Sequence, residues 1–199
     1  MAVDVLPRVT AYLDQLPGRI DAFPEAEVKY SVVATWLEGQ DAAALVDCLP
    51  TEVHPLLERE FPVTQWISEV HATTIYLGLR ERFFTSDDAF VADALGRNRT
   101  LLNKPMYRIL MRLLSRNRAA KGASVAYSQM HRGTELSVVS NDAHWEVSIV
   151  HPPHWGPPLL GRCYATALRA ALEVKGYQDV YCKPVSFEPE CTQLSVQFD

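Results

Sequence analysis

The sequence predicts an α+β fold, with a helical N-terminal half packed on an antiparallel sheet and a βββ-α-ββ order in the C-terminal half. Three observations carry this. Through the first 121 residues the apolar positions recur mostly at three- and four-residue spacing, the period of a helix. From Ser124 onward they alternate, the period of a strand with one wet face, until "GPPLLGRCYATALRAALEVKG" brings the helical period back with Leu160, Tyr164, Leu168 and Leu172. With 199 residues, 48% of them apolar and 22% charged, the chain has the composition of a globular protein that buries a core without disulfides or metal.

The elements follow in order. Residues 1–27 read as an N-terminal helical arm, with Val3, Leu6, Val9, Tyr12, Leu13 and Leu16 on one face and Pro17 and Pro24 as breakers. Residues 28–199 read as one α+β, ligand-binding-like domain. "VKYSVVATWL" fits a helix and a strand equally well. "LPTEVHPLLEREF" reads as a helix capped by Thr51 and kinked at Pro55, and "FPVTQWISEVHATTIYLGLRERFF" as a helix starting near Pro62. In the latter, Trp66, Ile67, Val70, Ile75, Leu77, Leu79, Phe83 and Phe84 cover most of the circumference, so the helix belongs in the interior. Ser86 is set to cap "DDAFVADALGRN", with Asp87 and Asp88 favourably placed in its first turn, and "KPMYRILMRLLSR" is the next helix. "SVAYSQMH", "TELSVVS" and "HWEVSIV" read as three strands joined through "RG" and "ND" turns. The late helix carries a small-residue stripe, Cys163, Ala167 and Ala171, and Gly176 stands where a left-handed C-terminal cap belongs. "DVYCKPVSF" and "TQLSVQF" close the chain as a strand pair.

Charge and motif content exclude several function classes. The net charge is −5, and the most basic segment, "RILMRLLSRNRAAK", reads as a helix end and connector, so no nucleic-acid partner is expected. No signal peptide and no membrane span is expected, and Cys48, Cys163, Cys182 and Cys191 form no C-x-x-C pair, which points to reduced thiols and a cytoplasmic protein. G-x-S-x-G, P-loop and G-x-G-x-x-G motifs are absent, and Glu58, Glu60 and Glu69 fall at helix-surface positions. No catalytic residue, cofactor or metal is expected.

Two histidine settings invite a metal reading. In "HPPHW", His151 and His154 are three apart, a spacing of about 9 Å along an extended proline-rich segment, too far for a shared ion without a bend. Pro152, Pro153, Gly156, Pro157 and Pro158 suit a rigid strand-to-helix connection instead. His71 lies between Ile67 and Ile75 on the central helix and reads as a core histidine. The aromatic and sulfur side chains of the helices and first strand, Trp66, Tyr76, Phe83, Tyr107, Met111 and Tyr127, together with His71, form the candidate lining of a lipophilic site.

The stretches "EVHPLLEREFPVTQW", "FVADALGRN", "SVAYSQMHRGTELSV" and "LRAALEVKGYQDVYC…ECTQLSVQFD" resemble an uncharacterised myxobacterial paralogous family of similar length. That family is similar in turn to the 4-vinyl reductase domain, the TRAPP tethering subunits and the haem-nitric-oxide-binding sensors. The resemblance covers roughly residues 28–199. It implies helices over an antiparallel sheet, a hydrophobic small ligand held between them, dimerisation or an adaptor role. It also implies cysteines near the last strands, where Cys182 and Cys191 stand. The tyrosine–serine–arginine clamp that haem-binding sensors carry for the porphyrin propionates is not seen. The resulting expectation is a non-catalytic cytoplasmic regulatory or adaptor domain, a homodimer with a hydrophobic small ligand. The alternatives are a protein-interaction scaffold with a filled core, and a haem or metal sensor using His71, or His151 with Cys182 or Cys191.

Overall fold

Residues 6–105, 107–108, 119–140 and 144–199 are described in a computed structural model, and the chain divides into two compact units, 1–90 and 91–199. Most of the expected "KPMYRILMRLLSR" helix, Met111 and the "ND" turn lie outside the described residues.

The first unit is helical around one short antiparallel strand pair. Helix α1 (Pro7–Leu13) starts on a proline, whose missing N–H costs nothing there, and buries Val9, Tyr12 and Leu13. "VKYSVVATWL" is neither all helix nor all strand. Strand β1 (Glu27–Lys29) pairs with β2 (Trp66–Ser68), Val28 opposite Ile67, and helix α2 (Tyr30–Leu37) begins at the next residue. Its β-branched Val33 and Thr35 are tolerated in a helix because they are buried, Val33 completely. Helices α3 (Ala43–Val46) and α4 (His54–Glu58) are short. Thr51 heads a 3-10 turn rather than capping a helix, and Pro55 sits in the first turn of α4, so it starts a helix where a kink was expected.

The central helix α5 (Glu69–Phe83) starts seven residues after Pro62, because Trp66–Ser68 are held extended against β1. The Ser68 hydroxyl accepts from the Val70 and His71 N–H groups at 3.2 and 3.4 Å and fixes the start. From Glu69 to Leu79 every residue except His71 is buried, as the all-round apolar pattern requires. This includes Glu69, expected at the helix surface but 2% exposed because the helix is covered on all sides. Gly78 lets Leu49 approach the helix closely. Helix α6 (Asp87–Asn103) is capped by Ser86, whose hydroxyl accepts from Ala89 N–H at 3.1 Å. Asp87 in its first turn accepts from Arg8 at 2.9 Å and from Arg80 at 2.6 Å, tying α1, α5 and α6 together.

The second unit contains the sheet. Helix α7 (Ala119–Ser128) replaces most of the expected "SVAYSQMH" strand, leaving a two-residue strand β3 (His131–Arg132). Val125 and Tyr127 mimic strand alternation, but Val125 is 51% exposed while Ala120, Ala123 and Tyr127, at helical spacing, pack on the core. Strands β4 (Glu135–Ser140), β5 (His144–Val150), β6 (Tyr181–Glu188) and β7 (Cys191–Gln197) form an antiparallel sheet in the order β4-β5-β7-β6. Trp145, Val147, Ile149, Leu194 and Val196 point to the core face, and Glu146, Gln193 and Gln197 to water. Helix α8 (Pro158–Val174) lies across β6 and β7, with Ala165 and Leu172 in the same core as those residues. It ends as expected. Gly176 has φ +89°, its N–H bonds Glu173 O at 2.9 Å and the Tyr177 N–H bonds Leu172 O at 3.1 Å, a complete Schellman motif with Tyr177 packed on the core.

Two predictions follow from this packing. Alanine at position 78 gains about 1 kcal/mol of helix propensity, but its Cβ would lie 2.9–3.3 Å from three carbons of Leu49. Overpacking of that kind costs about 1–3 kcal/mol. Urea unfolding of Gly78→Ala is expected to show a net loss of about 1 kcal/mol, and a raised midpoint would show that Leu49 gives way freely. At Asp87 burial opposes the charge, but the hydrogen bonds and charges of Arg8 and Arg80 outweigh it and hold the carboxyl below its ordinary range. The stability it supplies is present above the unfolded pKa and is lost as pH falls through the lower folded value. Asp87→Asn is expected to remove up to about 1 kcal/mol at neutral pH and to flatten the acid limb of the stability curve below about pH 4.

Candidate functional site

The "HPPHW" segment links β5 to α8, and it is clamped to the hairpin turn between β6 and β7. The His151 N–H donates to Glu190 O at 3.0 Å and the His154 N–H to Pro189 O at 2.8 Å, while Trp155 N–H closes a turn onto Pro152 O at 3.1 Å. His154 adopts φ +58°, the left-handed conformation that the tight turn requires. The His151 ring is buried. Its Nδ1 lies 3.0 Å from the Pro152 carbonyl, which only accepts, so Nδ1 carries the proton and Nε2 accepts from the Thr192 hydroxyl at 3.2 Å. Burial pushes its pKa below the usual imidazole value against the opposing pull of the Pro152 carbonyl and Glu190. Both ring nitrogens are thus committed to the protein, and the segment is a structural turn.

The turn extends a run of stacked rings. His151 contacts Trp155 (centroids 5.1 Å), Trp155 lies against Tyr164 of α8 (5.9 Å), Tyr164 against His131 (5.7 Å), and His131 stacks on Tyr127 of α7 (4.3 Å, 13° between planes). The Tyr127 hydroxyl meets Thr134 Oγ1 at 2.9 Å. Of this run the sequence marked Tyr127 as a ligand contact and His151 as a turn residue. It gave Trp155, Tyr164 and His131 no site role, since their partners are distant in the chain.

In the first unit Tyr76 packs on Trp36 (5.1 Å), Trp36 on Phe90 (4.8 Å) and Phe90 on Phe84 (5.2 Å). Trp66 is half-buried with the Lys29 amino group 5.3 Å from its ring centre, and Phe83 is half-buried at the end of α5. His71 is half-buried too. Burial lowers its pKa, and the carboxylates of Asp21 and Glu52 pull the other way. The expected ligand-lining set is therefore divided. Trp66, His71, Tyr76 and Phe83 belong to the first unit, with only Tyr76 in its core, and Tyr107 and Tyr127 are buried in the second. Met111 lies outside the described residues.

A haem iron needs an imidazole with an uncommitted ring nitrogen facing an apolar space. His151 spends both nitrogens on Pro152 and Thr192 and does not fit an axial ligand as folded. Cys182 is half-buried against the core and its thiol is pushed up to about 12, largely by desolvation, so it is a packing residue rather than a ready thiolate. Among the described residues no group of three or more His, Cys, Asp or Glu side chains is placed to hold a metal ion. An open cleft of about 550 Å³ lies at the end of α8, lined by Arg169, Glu173, Tyr177, Asp179 and Tyr181. Two of its charges are paired with each other, Glu173 accepting from Arg169 at 2.9 Å as well as from Arg99 at 2.7 Å. No helix among the described residues is long and apolar enough to cross a membrane.

If the ring run is packed core, truncation costs stability in proportion to what is removed. Trp155→Ala is expected to lose about 3–5 kcal/mol in denaturant unfolding, and Tyr127→Phe about 1 kcal/mol through its hydroxyl. A Trp155→Ala loss below about 1 kcal/mol would mean that the site is loose enough to refill.

No family model and no curated protein matches the sequence. The solved structures do. A Cs H-NOX variant carrying 4-cyano-L-phenylalanine is similar at TM-score 0.51 and 11% identity, over 86% of this chain and 96% of that one. A structure from work on the mechanism of H-NOX activation is similar at TM-score 0.52 and 10% identity, over 85% and 93%. A T. tengcongensis H-NOX variant is similar at TM-score 0.51 and 8% identity, over 85% and 94%. Identity this low shows the fold alone, and the fold of this chain is that of the H-NOX domains.

Proposed function

We propose that the chain is a non-catalytic regulatory domain that uses the H-NOX fold to respond to a small apolar ligand, without a haem iron on His71 or His151, and that it works in the cytoplasm as a homodimer. The observation that carries this reading is the His151 ring, whose nitrogens are held by Pro152 and Thr192 in a domain otherwise similar along nearly its whole length to H-NOX structures. The proposed ligand contacts are Trp66, His71, Tyr76 and Phe83 of the first unit, of which Trp66, His71 and Phe83 are half-buried. Kinship to the 4-vinyl reductase and TRAPP families is part of the same proposal.

A second reading, a protein-interaction scaffold with a filled core, is favoured by the ring-on-ring packing of Trp36, Tyr76, Phe84 and Phe90. One experiment separates the readings: native mass spectrometry and an absorption spectrum of protein expressed with a haem precursor. The expected result is a retained apolar small molecule, weakened by Trp66→Ala, with no haem band. Stoichiometric haem whose band shifts in His71→Ala would establish the iron sensor instead. A ligand-free dimer would favour the scaffold.

A further inference from the structure

We propose that His151 is an acid-operated latch, in which protonation of its ring releases the 151–155 turn from the β6–β7 hairpin and so loosens the start of α8. Each part of the device is in the geometry. The turn and the hairpin are about 40 residues apart in sequence, and they are joined by the N–H groups of His151 and His154 bonding Glu190 O and Pro189 O. His151 is 6% exposed, and its ring lies against Trp155 on one side and the Thr192 hydroxyl on the other.

Protonation disturbs this in two ways. The Nε2 atom, which accepts from Thr192, becomes a donor, so the hydroxyl must turn round. The ring also becomes a cation in a place with little water. Glu190, exposed on the hairpin turn, is the charged group facing it among the described residues. The remaining sides are the Pro152 carbonyl, the Thr192 hydroxyl and the Trp155 ring, none of which titrates in this range. The turn is also held in a conformation it gains by leaving, since His154 sits at φ +58°.

The sign follows from linkage. A base whose pKa is lowered in the closed state is neutral in both states at high pH, and the latch is then fully closed. As pH falls through the open-state pKa, near 6.5 for a free imidazole, the open state binds the proton and gains population. The gain is roughly tenfold for each unit by which burial lowers the closed-state value.

The test is amide hydrogen exchange at residues 151 and 154, read between pH 7.5 and 5.0 and corrected for the intrinsic pH dependence of exchange, with Leu168 and Leu172 of α8 as references. In the native protein the opening equilibrium at 151 and 154 is expected to rise as pH falls below about 6.5, while the references stay protected. In His151→Gln, which keeps a donor and an acceptor but cannot titrate, that rise should vanish. Glu190→Gln, a surface change, removes the group that eases protonation in the closed state, and should make acid opening larger. The proposal is overturned if protection at 151 and 154 is independent of pH in the native protein. It is equally overturned if the rise persists in His151→Gln or if Glu190→Gln diminishes it.

Discussion

An antiparallel sheet with one apolar face must have that face covered, and much of the second unit follows from how this is done. Val147, Ile149, Leu194 and Val196 are at most 1% exposed, and burying side chains of this size is worth about 1.5–3 kcal/mol each. Helix α8 supplies cover over β6 and β7 because it has small residues where it comes close. At Gly161 a Cβ would sit 2.2 Å from the Phe187 ring and 3.1 Å from Thr192, so only a residue without a side chain lets helix and strands approach so far. The helix must also start and stop at the right places. The Schellman motif at Gly176 sets its end, and the turn clamped to the β6–β7 hairpin sets its beginning.

The first unit solves a different problem, that of a central helix buried on all sides. Helix α5 needs partners around its whole circumference, and short elements provide them: α1, α2, α3 and the β1–β2 pair. The cost of burying its polar start is met locally by the Ser68 cap, and its far end is joined to α1 and α6 by Arg8, Arg80 and Asp87. Aromatic rings fill the remaining space in tilted and edge-on contacts, each worth about 0.5–1.5 kcal/mol beyond simple burial. A packing of this kind supplies rigidity before it supplies chemistry, and the same is true of the ring run from Tyr127 to His151.

Helical and strand periods were readable wherever one face of an element is buried and the other wet. "HWEVSIV" and "TQLSVQF" became strands and the late helix ended at its glycine as expected, because burial on one face writes a period into the residues. The period misleads where cover comes from elsewhere in the chain. Val125 and Tyr127 alternate like a strand, yet they belong to a helix whose Ala120, Ala123 and Tyr127 meet the core. Trp66–Ser68 continue the apolar pattern of α5, yet pairing with Glu27–Lys29, some 40 residues earlier, holds them extended. For the candidate site, the proline and glycine content of 151–158 was enough to identify a rigid turn, since those residues restrict the backbone locally.

The sequence by itself thus determined the α+β class, the succession of the later strands and helix, and the turn character of "HPPHW", because each rests on local backbone preference or on one-sided burial. Tertiary structure decided the rest: which hairpin carbonyls receive the turn's N–H groups, that Thr192 and Pro152 occupy both nitrogens of His151, and that Trp155 meets Tyr164. Those contacts join residues far apart in the chain, and no local period or propensity encodes a partner that only folding brings within 3 to 6 Å.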